Sequence, residues 1–405
     1  MNARRGEAPP RPGDPSSRPR PVLRALALAG LATFFVSLDG SVLTLALPAI
    51  SAEFHSSYPA LTGLGSALQL GALGGLPLSM LADRLGRRRL LVVSVTGFSL
   101  ANVASAAAPG LGWLEAARVV AVCFESAAAA TATALVVEEV PSGRRGLAVA
   151  AITVSAGAGT GLTTVLYPLV APAWRTLYLV GSLGLAAALL LAWLLPESTA
   201  WAAAGPREPV PLRVLLRPPW RRRLLVAALS AGLGALCYEP AGLLVALFGS
   251  RQLGLAPSAI SAVVVVAGLA SVPAFLVGGR LSDRLGRRGP GAGLSALTAC
   301  FTAATFAGGL PAYWAGSVGW SVLGSASVPV LGAWYGELFP TRARATSESA
   351  GAVAGALGGG LGFQLVGGLQ PRLGLGASLA AVAAGAVLGA ALLLLLPETR
   401  GEPLP

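Results

Sequence analysis

The sequence predicts an all-α integral membrane protein, with twelve transmembrane helices in two pseudo-symmetric six-helix bundles. Three observations carry this. First, 54% of the 405 residues are apolar and only 11% are charged, with a mean hydropathy of +0.71; soluble chains are about 25% charged. Second, the apolar residues fall in long runs separated by short polar pieces, as spanning helices of about 20 residues require. Third, three motifs recur at one offset of about 200 residues. The composition excludes a soluble enzyme, a disordered chain and a coiled coil. A Walker-type phosphate loop and a metal cluster are both missing from the sequence, so no enzyme activity, cofactor or metal is expected.

In chain order, residues 1–22 are rich in Pro, Arg and Ser and are expected to form a disordered cytoplasmic tail. The apolar segment that follows is too long for the core of a signal peptide. The expected spans are 24–49, 59–81, 89–108, 113–136, 146–170 and 175–195, then 224–248, 257–279, 291–310, 312–336, 347–369 and 374–396. They divide into bundles over 23–195 and 224–396, with a cytoplasmic linker at 196–223 and a cytoplasmic tail at 397–405. The linker holds Arg207, Arg213, Arg217, Arg221, Arg222 and Arg223. Trp113, Trp174, Trp193, Tyr313, Trp314 and Trp334 lie near span ends, where aromatic belts form. Cys123, Cys237 and Cys300 read as small buried hydrophobes, and His55, the single histidine, cannot build a zinc site.

The net charge of +12 comes entirely from arginine, because the chain has no lysine. Its placement is topological. With both termini inside, 25 of the 29 arginines fall in tails and inner loops, three (Arg175, Arg251, Arg372) in outer loops, and Arg118 within span four. The positive-inside rule then places both termini in the cytoplasm, and the plasma membrane is the expected location. It also removes nucleic acid as a partner and leaves the lipid bilayer, with a contribution from anionic lipid.

The repeat joins Asp83-Arg84-Leu85-Gly86-Arg87-Arg88 to Asp283-Arg284-Leu285-Gly286-Arg287-Arg288. It joins Glu138-x-x-Pro141-x-x-x-Arg145 to Glu337-x-x-Pro340-x-x-x-Arg344, and Pro196-Glu197-Ser198 to Pro397-Glu398-Thr399. Parallel repeats of six spans place a substrate site at their interface near the bilayer midplane. Over its whole length the chain resembles the major facilitator superfamily, and Asp-Arg-Leu-Gly-Arg-Arg after spans two and eight is its most specific motif. Trp174-Arg175, Leu195-Pro196-Glu197-Ser198, Glu337-Leu338-Phe339-Pro340-Thr341 and Pro397-Glu398-Thr399-Arg400-Gly401 resemble the sugar and organic-ion porters. Leu38-Asp39-Gly40-Ser41 and Ala46-Leu47-Pro48-Ala49-Ile50 in span one look more like drug–proton antiporters. Gly157-x-Gly159-x-Gly161 in span five lacks the antiporter signature.

Asp83, with Arg84, Arg87 and Arg88, can form a gate. A carboxylate at a helix end can pair with arginine and cap a neighbouring helix, closing one side in one conformation and breaking in the other. The competing reading is a topology anchor, which would explain the arginines but not Asp83 or Gly86. The resemblance implies the same role for Asp283, Arg284 and Arg287, and implies that Glu138, Arg145, Glu337 and Arg344 join an inner salt-bridge network. The alternative for these is solvated loop charge. Gly279 matches the first glycine of the motif, whereas Ser79 departs from it.

Ionisable residues inside spans are costly and default to functional candidates. Arg118 and Glu125 are two helical turns apart on one face of span four, about 10 Å along the axis. They form a proton switch if their spacing changes with conformation, or else a structural pair. Glu239 sits beside Pro240, which kinks span seven; it suits a substrate or proton site, or a bond to the carbonyl that Pro240 leaves free. Thr33, Ser37, Ser41 and Thr44 form one polar stripe on span one, and Asp39 faces almost the opposite way, so either the stripe or Asp39 lines the cavity. Gln69, Trp320 and Gln364 are further cavity candidates, read first as packing. The Gly/Ala-rich run 350–362 permits close helix packing.

The expected function is secondary active transport of a small organic solute, an organic ion or metabolite, by alternating access with proton coupling, in a monomer. Proton-driven multidrug efflux is the alternative, and a non-transporting receptor on the same scaffold a remote one.

Overall fold

In the computed structural model, residues 19–140, 144–171, 173–198, 201–202, 215–340 and 344–401 are described. The N-terminal tail, the middle of the linker with Arg207 and Arg213, and the end of the C-terminal tail lie outside them. So do the side chains of Asp83, Arg145 and Arg344.

The first half contains α1 (Pro19–Glu53), α2 (Tyr58–Leu85), α3 (Arg87–Ala106), α4 (Leu111–Glu139), α5 (Arg145–Val170) and α6 (Arg175–Leu194). The second contains α7 (Trp220–Leu253), α8 (Pro257–Leu285), α9 (Arg288–Ala307), α10 (Leu310–Leu338) and the long stretch Arg344–Leu393. That stretch bends at Gly374 (φ 77°, ψ 165°), just after Pro371, and so forms two spans, α11 and α12. Positive φ suits glycine, and the preceding proline removes a helical donor. Nine helices among the described residues are long and apolar enough to cross a membrane, and Thr346–Leu393 suffices for two crossings. With α9 and α10, of 20 and 29 residues, the twelve spans expected from the sequence are all present, most within a few residues of their expected ends.

Both described chain ends lie on one side of the bundle, here the terminus side; the other is the far side. Three hydrophobic cores reveal how the halves meet. The largest unites Leu47, Ile50 and Leu64 of the first half with Leu247, Phe248, Phe363 and Leu375 of the second, all toward the far side. The terminus-side cores are separate, one around Phe98 and Leu135 and one around Trp334 and Leu338. The halves are thus welded at the far side and independent at the terminus side. Across the far-side seam the Gln252 amide reaches the Tyr58 hydroxyl at 3.5 Å, and the Arg251 guanidinium lies 5.4 Å from the Tyr58 ring centre.

The glycine run behaves as expected. A Cβ on Gly358 would stand 2.0 Å from the Gly232 carbonyl oxygen, and one on Gly362 2.1 Å from that of Leu236, so α7 and α11 touch backbone to backbone. The aromatic belt is only partly present. Trp113 and Trp193 face outward, but Trp174, Tyr313 and Trp334 are fully buried. Their polar atoms find partners inside the protein: Trp174 Nε1 donates to Glu53, Trp334 Nε1 to the Pro397 carbonyl, and the Tyr313 hydroxyl to the Val245 carbonyl. A span-end tryptophan with an internal acceptor has no need of the lipid interface. Among the cysteines only Cys237 is fully buried, and Cys300 is exposed on the helix surface.

Candidate functional site

A cavity of about 280 Å³ lies between the halves at mid-bundle. That is just below the range for drug-sized ligands, about 300–1,000 Å³, and suits a small solute. Gly40, Leu43 and Thr44 of α1, Leu68 and Gln69 of α2, and Arg118, Val122 and Glu125 of α4 form one wall; Tyr238, Glu239, Gly242, Leu243 and Phe363 form the other.

Arg118 organises the first wall. One terminal nitrogen donates to Asp39 Oδ1 and Asn102 Oδ1, both at 2.9 Å, and the other to Glu125 Oε1 at 2.9 Å. The guanidinium also lies over the Tyr178 ring, 5.2 Å from its centre. Asp39 is completely buried and Arg118 almost so, whereas Glu125 reaches the cavity. Two carboxylates on one guanidinium leave one negative charge uncompensated, and the burial makes that costly. Arg118 Nε, Asp39 Oδ2, Asn102 Nδ2 and the Tyr178 hydroxyl are buried with no hydrogen-bond partner among the described residues.

Arg118 and Glu125 meet directly, as their shared helix face implies. Asp39 joins them from α1, so the acid rather than the polar stripe faces α4. The stripe itself divides. Thr33 donates to the Ile152 carbonyl and the Ser37 carbonyl accepts from Thr160, both against α5, while Thr44 reaches the cavity. On the opposite wall Glu239 accepts from Gln69 Nε2 at 3.2 Å, so its partner is a neutral amide of the other half and not a carbonyl freed by Pro240. Gln69 is therefore a polar cavity residue. Trp320 packs near Gly242, and Gln364 is exposed away from the cavity.

The expected gate residues divide between two equivalent networks at the terminus side. In the first half Arg87 makes a bidentate pair with Glu138 (2.9 and 3.3 Å), and Ser198 Oγ donates to the same carboxylate at 2.7 Å. In the second, Arg287 pairs with Glu337 (3.2 and 3.3 Å) and with Asp283 (2.9 Å), while Thr399 Oγ1 donates to Glu337 at 2.5 Å. Arg84 and Arg284 are exposed, and Arg284 contributes its carbonyl to Arg400. The Arg87–Glu138, Arg287–Asp283 and Arg287–Glu337 pairs each lie within one half, so these contacts tie helix ends within a bundle.

Two residues visible in the repeat but not expected at the site complete these networks. Glu197 accepts from the backbone N–H of Arg88 and Ser198, and Glu398 from those of Arg287, Arg288, Thr399 and Arg400. Burial acts to raise Glu398, but the four backbone donors outweigh it and hold its carboxyl below the ordinary value. The motif glycines make room for these acids. Gly86 has φ +97° and Gly286 φ +94°, and a Cβ at either would stand 2.3 or 2.6 Å from the Glu197 or Glu398 carboxylate. Asn102 was missed, although a polar amide inside a span is a signal; Tyr178 carried no sequence signal. Glu239 stands 200 residues after Asp39, which is the repeat offset.

Comparison with known proteins agrees with this geometry. The family model described as Major Facilitator Superfamily matches residues 29–363. A probable 4-methylmuconolactone transporter of Cupriavidus pinatubonensis is 29% identical over 397 residues, 90% of this chain and 88% of that one. A gallate transporter of Pseudomonas putida is 33% identical over 183 residues; that match spans 44% of this chain and 41% of the relative, less than half of each. Among solved structures, a bacterial homologue of the human lysosomal transporter Spinster, inward-facing and unoccupied, superimposes with a TM-score of 0.77 at 19% identity, covering 94% of this chain and 97% of that one.

Proposed function

The chain belongs to the major facilitator superfamily and is a membrane transporter of small organic solutes, and from this premise we propose that its cargo is an organic acid, carried as the anion together with a proton. The observation that carries this reading is Arg118, held by Asp39 and Glu125 at the cavity wall. With both acids ionised the cluster is net negative and repels an anion. A proton on Glu125, the acid open to the cavity, makes the cluster neutral and releases one face of the guanidinium. That face matches a carboxylate bidentately. Proton and anion then bind as a pair, and neither crosses alone. Gln69 and Glu239 on the facing walls offer a donor and an acceptor to polar groups on the rest of the solute. Relatives named as gallate and 4-methylmuconolactone transporters support a small oxygen-rich cargo.

With both termini in the cytoplasm, the welded far side is the outer one and the structure is the inward-open state. The networks around Arg87 and Arg287 keep the helix ends of each bundle together as the halves rock. Asp83, Asp283 and their arginines act as the gate when the terminus side closes.

Proteoliposomes test this. An inside-alkaline pH gradient should drive accumulation of an aromatic monocarboxylate, with proton uptake in step, and a protonophore should abolish both. A second reading, proton-driven export of a hydrophobic cation, is favoured by the two acids, Glu125 and Glu239, that open on the cavity. Carboxylate uptake indifferent to the gradient, with lipophilic-cation transport that follows it, would replace the first reading by the second.

A further inference from the structure

A second, larger cavity of about 670 Å³ lies on the terminus side of the second half, away from the transport site. Arg221, Arg222 and Arg223 enter it from the first turn of α7, and Arg288 from the start of α9. Its other wall is apolar, with Leu394 and Leu395 at the end of α12, both about half exposed. Among the described residues the lining contains no acidic residue. The nearest carboxylate of the network, Glu398, is engaged by four backbone N–H groups. Arg223 donates to the Leu338 carbonyl and lies over the Trp220 ring. The guanidinium groups of Arg221, Arg222 and Arg288 have no ion pair or hydrogen bond among the described residues.

A topology signal needs positive charge on one side of the membrane, but not its convergence on one cavity. Here the convergence is also unfavourable within the protein. Three arginines crowd the first turn of α7, which holds no acid of its own and where the helix dipole is itself positive. An anion in the cavity reverses that balance. The apolar wall, at the end of a transmembrane helix, specifies the rest of the ligand. An anion with a hydrocarbon chain satisfies both walls, whereas a soluble anion leaves Leu394 and Leu395 uncovered.

We propose that this cavity is a binding site for one anionic phospholipid, its phosphate held by Arg221, Arg222 and Arg288 and its acyl chain running along Leu394 and Leu395. The site joins the start of α7 to the end of α12, and so braces the second bundle where the linker enters it. Basic residues near a membrane surface contribute about fivefold each to anionic-lipid affinity, so loss of three should weaken binding on the order of 100-fold.

The test is native mass spectrometry of full-length protein exchanged from vesicles of phosphatidylcholine and phosphatidylglycerol. Wild type should retain one phosphatidylglycerol that withstands delipidation. The triple variant Arg221→Gln/Arg222→Gln/Arg288→Gln should lose it, and the control triple Arg24→Gln/Arg89→Gln/Arg280→Gln, which removes equal charge from exposed sites elsewhere, should keep it. Equal retention or equal loss in the two triples overturns the proposal and returns these arginines to topology alone. Displacement of the lipid by millimolar glycerol phosphate also overturns it, in favour of a soluble anion site. Should the triple variant fail to fold, Arg288→Gln alone should show about a fivefold loss, and unchanged retention there is equally decisive.

Discussion

At their terminus-side ends the two halves carry the same contacts. Arg87, Glu138 and Ser198 in one are matched by Arg287, Glu337 and Thr399 in the other, and Gly86 cradles Glu197 as Gly286 cradles Glu398. At mid-bundle the match ends. The repeat offset sets Ser317 to Gly319 opposite Arg118 and Gly324 to Ala326 opposite Glu125, where no charge exists. It sets Glu239 opposite Asp39, yet Asp39 turns into its own bundle and Glu239 turns to Gln69 across the cavity. The difference teaches a division of labour. Two bundles that rock against each other need equivalent braces at their ends, whereas a solute without two-fold symmetry needs an asymmetric pocket.

The harshest way to break this comparison is at its asymmetric centre. Arg118→Gln would leave Asp39 and Glu125 facing each other with no cation. Removing one partner of a buried ion pair costs about 3–5 kcal/mol, so the variant should unfold at markedly lower temperature in detergent and should not transport. Near-wild-type melting and uptake would mean that Arg118 does not hold the cluster together. On the facing wall, Glu239→Gln should leave the fold intact. It should abolish accumulation against a gradient but preserve solute exchange, because the amide mimics the protonated acid. Gradient-driven accumulation equal to wild type would remove Glu239 from coupling.

The symmetric ends predict paired effects. Gly86→Ala and Gly286→Ala each force a side chain into positive φ and against a carboxylate, and each should cost about 1–3 kcal/mol. A loss confined to one of them would end the equivalence of the halves. Smaller still is a pH effect at Glu398. Its depressed carboxyl stabilises the fold above the ordinary glutamate value, and that stability disappears as pH falls through the folded-state value. Wild type should therefore lose melting temperature on acidification below about pH 4.3, and Glu398→Gln should flatten that part of the profile. The gentlest probe concerns orientation. In a variant lacking the native cysteines, Arg217→Cys should resist an impermeant thiol reagent applied outside intact cells, and ready labelling would invert the topology.

The spans were legible because membrane solvation imposes length and apolarity on each helix, and these are properties of a single segment. Arg118 and Glu125 were legible for the same reason, since seven residues on one helix fix their shared face. The third member was harder. Asp39 meets Arg118 through the way α1 is turned among its neighbours, and α5 closes on α1 at Gly159, where a Cβ would stand 2.1 Å from the Phe34 carbonyl oxygen. Inter-helix rotation of that kind leaves no periodic trace. Glu197 and Glu398 were seen as repeat markers, but their role depends on backbone donors at the next helix start, which no side-chain pattern announces. Trp174, Tyr313 and Trp334 were misread as belt residues because position along a span does not say whether an internal acceptor waits there.

The far-side weld has a thermal consequence. Opening that side must bring Leu47, Ile50, Leu247 and Phe248 into contact with water, and exposed apolar surface carries a positive heat capacity. The hydrophobic hold on the seam weakens on cooling. The far-side-open state should accordingly gain population in the cold, and an Arrhenius plot of transport limited by this opening should curve.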